Sequence, residues 1–361
     1  VAVWWTVVWG RGETAGVAAA GAAARAVWVM SKRDDHAGVR ARRALGDGRV
    51  GRRSVLRAGA VGAMALAATP LLTACERTIG PGTIAPGGVT PAPNLLQIVV
   101  DDLNEYVGFM GGYPGTVHTP NLDALAAESL QFDQFHVTVP ICPPSRATLM
   151  WGVDAPTHGV FNRASGLDPN YAWANGSANH LTKVLGDAGL TQYGGGKLFH
   201  TDGDYHRPQW AEYLSTPYAS NVGFSGPDGI FFDYGALPQG DDHPDADLAD
   251  FVLAKLNELA ASPGPRFHVA AGFRLPHLGW VVPQSFLDLY PDDEVVVHDP
   301  IDTWDDLGPI GLGVLAPSIS LYGFPAKPWF DWVNDIGKRK EYLRHYLASI
   351  SYVDHQIGRE L

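Results

Sequence analysis

Asp101 and Asp102 close the apolar run Leu95-Leu96-Gln97-Ile98-Val99-Val100, and their types and spacing could do chemistry. Neighbouring carboxylates repel, so a site that keeps both charged needs a cation. Oxygen donors of this kind suit Ca2+ or Mg2+ better than a soft metal. An isolated acid pair also fits a strand running into an acidic turn, so the pair needs company before it counts as a site. Three further segments carry reactive side chains: Cys142-Pro143-Pro144-Ser145-Arg146, Gly196-Lys197-Leu198-Phe199-His200 and Arg274-Leu275-Pro276-His277. Taken singly, the first two have bland readings, as a buried thiol and as a surface lysine with a loop histidine.

The elements that must position these residues are legible around them. Residues 95–100 form a continuous apolar run of strand length, the pattern of a strand buried on both faces of a sheet. Its acids then sit at the carboxyl end of a strand, where open α/β sheets place ligands. Thr119-Pro120-Asn121-Leu122-Asp123-Ala124-Leu125 predicts a helix with Pro120 at its first position. Residues Phe132 to Val139 read as β-rich. Pro143-Pro144 ahead of a helical stretch puts residue 142 near a helix N-terminus, which favours anions. Residues 266–273 predict a second core strand leading to His277, and Tyr346 to Leu361 predict a helix. Asp354-His355 fits a pair on that helix face, and Asp242-His243 a solvated loop.

Together the segments resemble the type I, formylglycine-dependent sulfatases. Cys142, Pro144, Ser145 and Arg146 match the family's Cys-x-Pro-Ser-Arg signature, with Ala147-Thr148-Leu149 as its continuation. Residues 196–200 resemble its Gly-Lys-x-x-His element, and Pro276-His277 the Lys-Pro-His element of iduronate-2-sulfatase-like members, with Leu275 where lysine is common. The resemblance implies an alkaline-phosphatase-like α/β fold, with a mostly parallel central sheet flanked by helices. It implies that Cys142 is oxidised to formylglycine by a formylglycine-generating enzyme. It also implies that Asp101, Asp102 and residue 142 ligate Ca2+ (or Mg2+). Arg146 would hold the formylglycine hydrate, Lys197 contact the sulfate, His200 hydrogen-bond the formylglycine hydroxyl, and His277 protonate the leaving oxygen. The implied substrate is a sulfate monoester on a small molecule or glycan. Two alternatives keep parts of this pattern: a phosphonate monoester or phosphodiester hydrolase, and a surface lipoprotein that binds sulfated glycans without cleaving them.

Composition and charge set the frame. The chain has 361 residues, a net charge of −12, 46% hydrophobic residues and two cysteines, which excludes a disordered chain and a disulfide scaffold. The acidic balance argues against nucleic acid as a partner. Residues 1–57 are nonetheless basic, with 11 Lys/Arg against 4 Asp/Glu. A basic leader on an acidic body suggests targeting.

Residues 30–75 resemble a twin-arginine lipoprotein signal peptide. Arg52-Arg53 precede an apolar stretch from Ala58 to Leu72, then Leu72-Thr73-Ala74-Cys75. Cys75 would be lipidated, anchoring an exported protein at the cell surface or the periplasmic side of the membrane. Residues 76–93, rich in Pro, Gly and Thr, read as a flexible tether. Residues 1–29 read as an extension outside the fold. Residues 94–361 read as a catalytic domain that is incomplete at its C-terminus, because the resemblance puts a second pair of metal ligands on a strand beyond Leu361.

Overall fold

The computed structural model describes residues 5–9, 25–29, 94–132, 136–161, 180–200, 209–216, 234–237, 243–261, 264–298, 333–334 and 336–361. The leader at 30–75 with Cys75, the tether at 76–93 and Asp242 lie outside these residues. Val1–Lys32 and Ala92–Leu361 form one compact unit. Among the described residues no helix is long and apolar enough to cross a membrane.

The core is a seven-stranded sheet. Its strands are β1 (Trp5–Trp9), β2 (Arg25–Val29), β3 (Leu95–Asp101), β4 (Ser129–Gln131), β5 (Thr191–Gly196), β6 (Glu212–Leu214) and β8 (Phe267–Pro276), in the order β4-β2-β1-β3-β8-β5-β6. Strands β3, β8, β5 and β6 run parallel to one another and β2 runs parallel to β4, while β1 is antiparallel to both β2 and β3. A separate pair joins β7 (Tyr234–Ala236) to β9 (Trp280–Val282). The mostly parallel sheet agrees with the expectation.

Residues 1–29 depart from it, because Trp5–Trp9 and Arg25–Val29 are strands of this sheet rather than an extension outside it. Trp-Thr-Val-Val-Trp and Ala-Val-Trp-Val are strong strand formers, and β3 has an edge that a strand can cover. The Phe132–Val139 expectation also shifts. Strand β4 ends at Gln131, and the described residues from His136 to Val139 carry no strand.

Helices cover both faces of the sheet. On one face α1 (Pro120–Ala127), α5 (Pro244–Ala261) and α7 (Arg339–Glu360) pack on Leu96, Ile98 and Val100 of β3 and on Val269, Ala271 and Phe273 of β8. On the other, α2 (Cys142–Trp151) packs Ala147, Met150 and Trp151 against Val99, Ala270 and Leu198. This explains the unbroken apolar run, since both alternate sets of a strand's side chains are buried. Each large aliphatic or phenyl group so buried contributes about 1.5–3 kcal/mol. The remaining short helices are α3 (Ala155–His158), α4 (Leu181–Asp187) and α6 (Gln284–Leu287).

Two polar residues near this core have structural partners. Asp354 of α7 accepts from the backbone N–H of Leu122 at 2.8 Å and of Asn121 at 3.2 Å, capping α1 where Thr119 does not. It therefore sits on a helix face, as expected, and serves a structural purpose. His243 is buried rather than solvated. Its Nδ1 accepts from the Asp245 N–H at 3.0 Å in the turn that starts α5.

A seam crosses the centre of the sheet. His268 on β8 lies 3.0 Å from Oε1 of Gln97 on β3 and 3.2 Å from Oε1 of Gln192 on β5. The Gln192 amide nitrogen donates to the Thr182 carbonyl, which fixes its oxygen towards the imidazole. A neutral ring can donate from only one nitrogen, so Nδ1–H donates to Gln192 and the Gln97 amide turns its N–H towards Nε2.

Burial pushes the His268 pKa down to about 4. Between pH 6.5 and 4 the unfolded chain then binds a proton that the folded chain refuses, so this residue makes stability fall as pH drops. The full effect is about 3 kcal/mol. We expect His268→Gln to flatten the slope of unfolding free energy over pH 4–6.5, measured by urea titration. An unchanged slope would show that His268 is not held neutral.

Candidate active site

The candidate site is built where the carboxyl ends of β3, β5 and β8 meet the N-terminus of α2. Gln97, Val99 and Asp101 alternate on the α2 side of β3, so the strand's own period aims Asp101 at that helix. Cys142 is the first residue of α2, and Pro143 and Pro144 follow where a missing N–H costs nothing. Gly152 closes the helix with φ of 66°.

Two glycines bring Lys197 under the sheet end. Gly196 has φ of 70°, and a Cβ there would stand 2.3 Å from the Gly272 carbonyl oxygen. A Cβ on Gly272 would stand 2.3 Å from the Lys197 carbonyl carbon. The two backbones touch, and the Lys197 N–H donates to the Gly272 carbonyl at 2.7 Å.

The side chains converge on Asp101. It is fully buried and ion-paired with the Lys197 ammonium and, at 3.3 Å, with the Arg146 guanidinium. Arg146 also donates to the Lys197 carbonyl, which ties α2 to the segment after β5. Burial alone would raise the Asp101 pKa. The charges of Lys197 and Arg146 overcome it and hold the carboxyl well below the usual range.

Asp102 has φ of 56°, a left-handed conformation that aspartate tolerates better than most residues. Tyr346 of α7 holds this turn. Its hydroxyl donates to the Asp102 carbonyl at 2.7 Å and accepts from the Asn104 N–H at 3.1 Å. The Asp102 carboxylate faces His277 Nε2 at 3.6 Å. Burial and then the Asp101 charge raise the Asp102 pKa.

His277 donates from Nδ1 to the Leu278 carbonyl at 2.8 Å, leaving Nε2 to face the site. Burial lowers its pKa and the Lys197 charge lowers it further, against the opposite pull of Asp101 and Asp102. The ring is neutral near pH 7.

Ligand atoms of Asp101, Cys142 and His277 all lie within 4.8 Å of one another. The expected residues Asp101, Asp102, Cys142, Arg146, Lys197 and His277 are therefore brought together. His200 is half-buried on the segment three residues past Lys197, outside that converging trio. Tyr346 carries no local signal in the sequence, because its partner is 244 residues away.

The comparisons with known proteins fit this geometry. The sulfatase family profile matches residues 93–361. The chain belongs to the sulfatase family. A sulfatase of Formosa agariphila is 30% identical over 290 residues, covering 74% of this chain and 54% of that protein. Human iduronate 2-sulfatase is 27% identical over 300 residues, covering 75% of this chain and 51% of its own length. This sulfatase chain thus spans about half the length of these curated relatives. Among solved structures, a phosphonate monoester hydrolase of Agrobacterium radiobacter superposes with a TM-score of 0.52 at 19% identity, covering 73% of this chain and 57% of that one. It shares the alkaline-phosphatase-like fold.

Within this site, Cys142 itself is a poor nucleophile. Burial, and then the Asp101 charge, push its thiol pKa up to about 12. The thiol stays protonated at neutral pH and is neither a reactive thiolate nor a good metal ligand. Alkylation of Cys142 in the unmodified protein by iodoacetamide should be slow at pH 7 and accelerate about tenfold per pH unit up to pH 10. A rate that levels off near pH 8.5 would contradict the raised pKa.

Proposed function

We propose that this protein hydrolyses a sulfate monoester, with residue 142 oxidised from cysteine to formylglycine as the nucleophile. The observation that carries this reading is the convergence of Cys142, Asp101 and His277 within 4.8 Å, with Lys197 and Arg146 paired to Asp101. The family match supports sulfate esters as the substrate class. The similarity to iduronate 2-sulfatase supports a sulfate carried on a carbohydrate.

The donor set fits a hard divalent cation. Asp101 is charged and buried, Asp102 stands beside it, and an oxygen at residue 142 would replace a sulfur that cannot ionise near pH 7. Asp101, Asp102 and residue 142 would hold Ca2+ or Mg2+. Such a cation, when bound, lowers the pKa of an oxygen nucleophile and offsets charge on the transferring group. Formylglycine, once hydrated, offers two hydroxyls on one carbon.

The chain's own residues supply the rest. Lys197 and Arg146 hold the anionic group beside residue 142, helped by the N-terminus of α2. His200 hydrogen-bonds the hydroxyl of residue 142. His277 Nε2 faces the site, and the negative charge of a bound sulfate ester raises its pKa, favouring the protonated ring. It then gives that proton to the leaving alcohol oxygen as the S–O bond breaks. A hydroxyl oxygen of hydrated residue 142 would form the new bond to sulfur and lose its proton to solvent. The second hydroxyl would then expel sulfate and restore the aldehyde, which water rehydrates, so one water is consumed per turnover.

A formylglycine-generating enzyme is the implied maturation partner. The Arg52-Arg53 leader and Cys75 support export by the twin-arginine route and a lipid anchor. The fold shared with a phosphonate monoester hydrolase favours a second reading, a phosphonate monoester substrate at the same site.

The test is expression with a formylglycine-generating enzyme, mass analysis of the Cys142 peptide, and turnover of an aryl sulfate and an aryl phosphonate. We expect the aldehyde at residue 142, faster turnover of the sulfate, and loss of turnover on chelation. Cys142→Ala should lower turnover by about 10³-fold or more. Calcium should raise the melting temperature of the wild type but not of Asp101→Asn. Only unmodified cysteine at residue 142 would refute the formylglycine reading, and faster phosphonate turnover would favour the second substrate.

A further inference from the structure

We propose that Asp245 is the positioning residue for His277, a role that rests on His277 being the proton donor described above. Strand β8 is irregular where it reaches the site. Its pairing with β3 runs Val100 to Phe273 and then jumps to Asp101 with Pro276. Arg274 and Leu275 are thus extra residues on β8, opposite no residue of β3, and pairing with β5 has already ended at Gly196 with Gly272. Backbone N–H groups displaced from a ladder in a buried strand need other acceptors.

Asp245 provides both. Its Oδ1 accepts from the Arg274 N–H at 2.8 Å, and its Oδ2 accepts from the Leu275 N–H at 2.9 Å. The carboxylate is buried in the first turn of α5, where the helix dipole favours a negative charge. Its own N–H is fixed by His243 Nδ1 at 3.0 Å.

From this clamp the chain needs two more residues to reach the imidazole. The His277 N–H donates to the Arg274 carbonyl at 3.0 Å, so the residue that Asp245 grips also closes the turn beneath His277. Asp245 does not belong to the group of atoms converging on Cys142. Its effect on chemistry runs through the backbone of the bulge, which sets where Nε2 stands relative to Asp102 and residue 142. A displacement of about 1 Å in a reacting group can cost on the order of 100-fold in rate.

The experiment compares two sulfate esters in the metal-loaded, formylglycine-bearing full chain, one with a nitrophenol leaving group and one with a simple alcohol. A good leaving group needs little protonation, and a poor one needs it most. His277→Ala should slow the alcohol ester far more than the nitrophenyl ester. Asp245→Ala should show the same selective loss, smaller in size, about 10- to 100-fold on the alcohol ester, in kcat with KM little changed. The double variant should be no slower on that ester than His277→Ala alone.

Equal losses on both esters, or a double variant as slow as the product of the two single effects, would overturn the proposal. A His277→Ala variant without leaving-group selectivity would instead overturn the proton-donor reading, and the positioning role with it. Asp245→Asn keeps one acceptor oxygen and should fall between wild type and Asp245→Ala. If the alanine variant fails to fold, that intermediate selectivity decides the question, and its absence in a folded Asp245→Asn protein counts against the proposal.

Discussion

A carboxylate with no exposure to water, Asp101, is kept ionised by the Lys197 ammonium and the Arg146 guanidinium, and the site's architecture follows from that contact. Desolvating such an ion costs several kcal/mol even after the protein relaxes. A unit charge about 4 Å away returns roughly 4 kcal/mol at the effective dielectric of such sites, so two cations are needed rather than one. Each of the three charges arrives from a different element: β3, the segment after β5, and α2. Their mutual dependence therefore welds three elements together where the substrate would lie. Removing any one would leave a buried charge uncompensated, at a cost of about 3–5 kcal/mol.

The surrounding backbone is arranged so that this contact can form. Gly196 and Gly272 let two chains approach closely enough for Lys197 to reach under the sheet end. Tyr346 spans from the far helix to hold Asp102 in a left-handed turn, so adjacent acids point in different directions, Asp101 inward to the cations and Asp102 towards His277. The bulge in β8 carries His277 over the same point. Each device lies at the carboxyl end of a parallel strand, where the ladder stops and backbone groups are free to be redirected.

Much of this was legible in the sequence because it is encoded locally. The apolar run at 95–100, the prolines at 120 and at 143–144, and the spacing of Cys142, Ser145 and Arg146 specify β3, α1 and the start of α2. The Asp101 pair, Lys197 and His277 came with their own short motifs. The supports did not. An aspartate in the first turn of a helix, such as Asp245, reads as a complement to the helix dipole, and nothing nearby in sequence says that its partners are 29 and 30 residues away. His243 looked like a solvated loop residue because its burial depends on Tyr352, whose ring lies 5.4 Å away. The Phe132–Val139 misreading has a similar cause: strand propensity needs a partner strand, and the described part of that segment has none. Trp5–Trp9 and Arg25–Val29 show the converse, since the first finds an edge at β3 and the second an edge at the first.

The polar seam of Gln97, His268 and Gln192 across β3, β8 and β5 fixes the alignment of three otherwise oily strands. Val, Ile, Ala and Leu would pack almost as well if one strand slid along its neighbour, because apolar contacts are not directional. A slip of one residue would turn each amide and the imidazole to the opposite face, among Leu96, Ile98 and Val269, with no partner in reach. On β3 the seam lies four residues before Asp101 in the same strand, so the register it enforces is carried straight to the chemistry. Three side chains that touch no substrate thus decide which residues of these strands arrive together at the top.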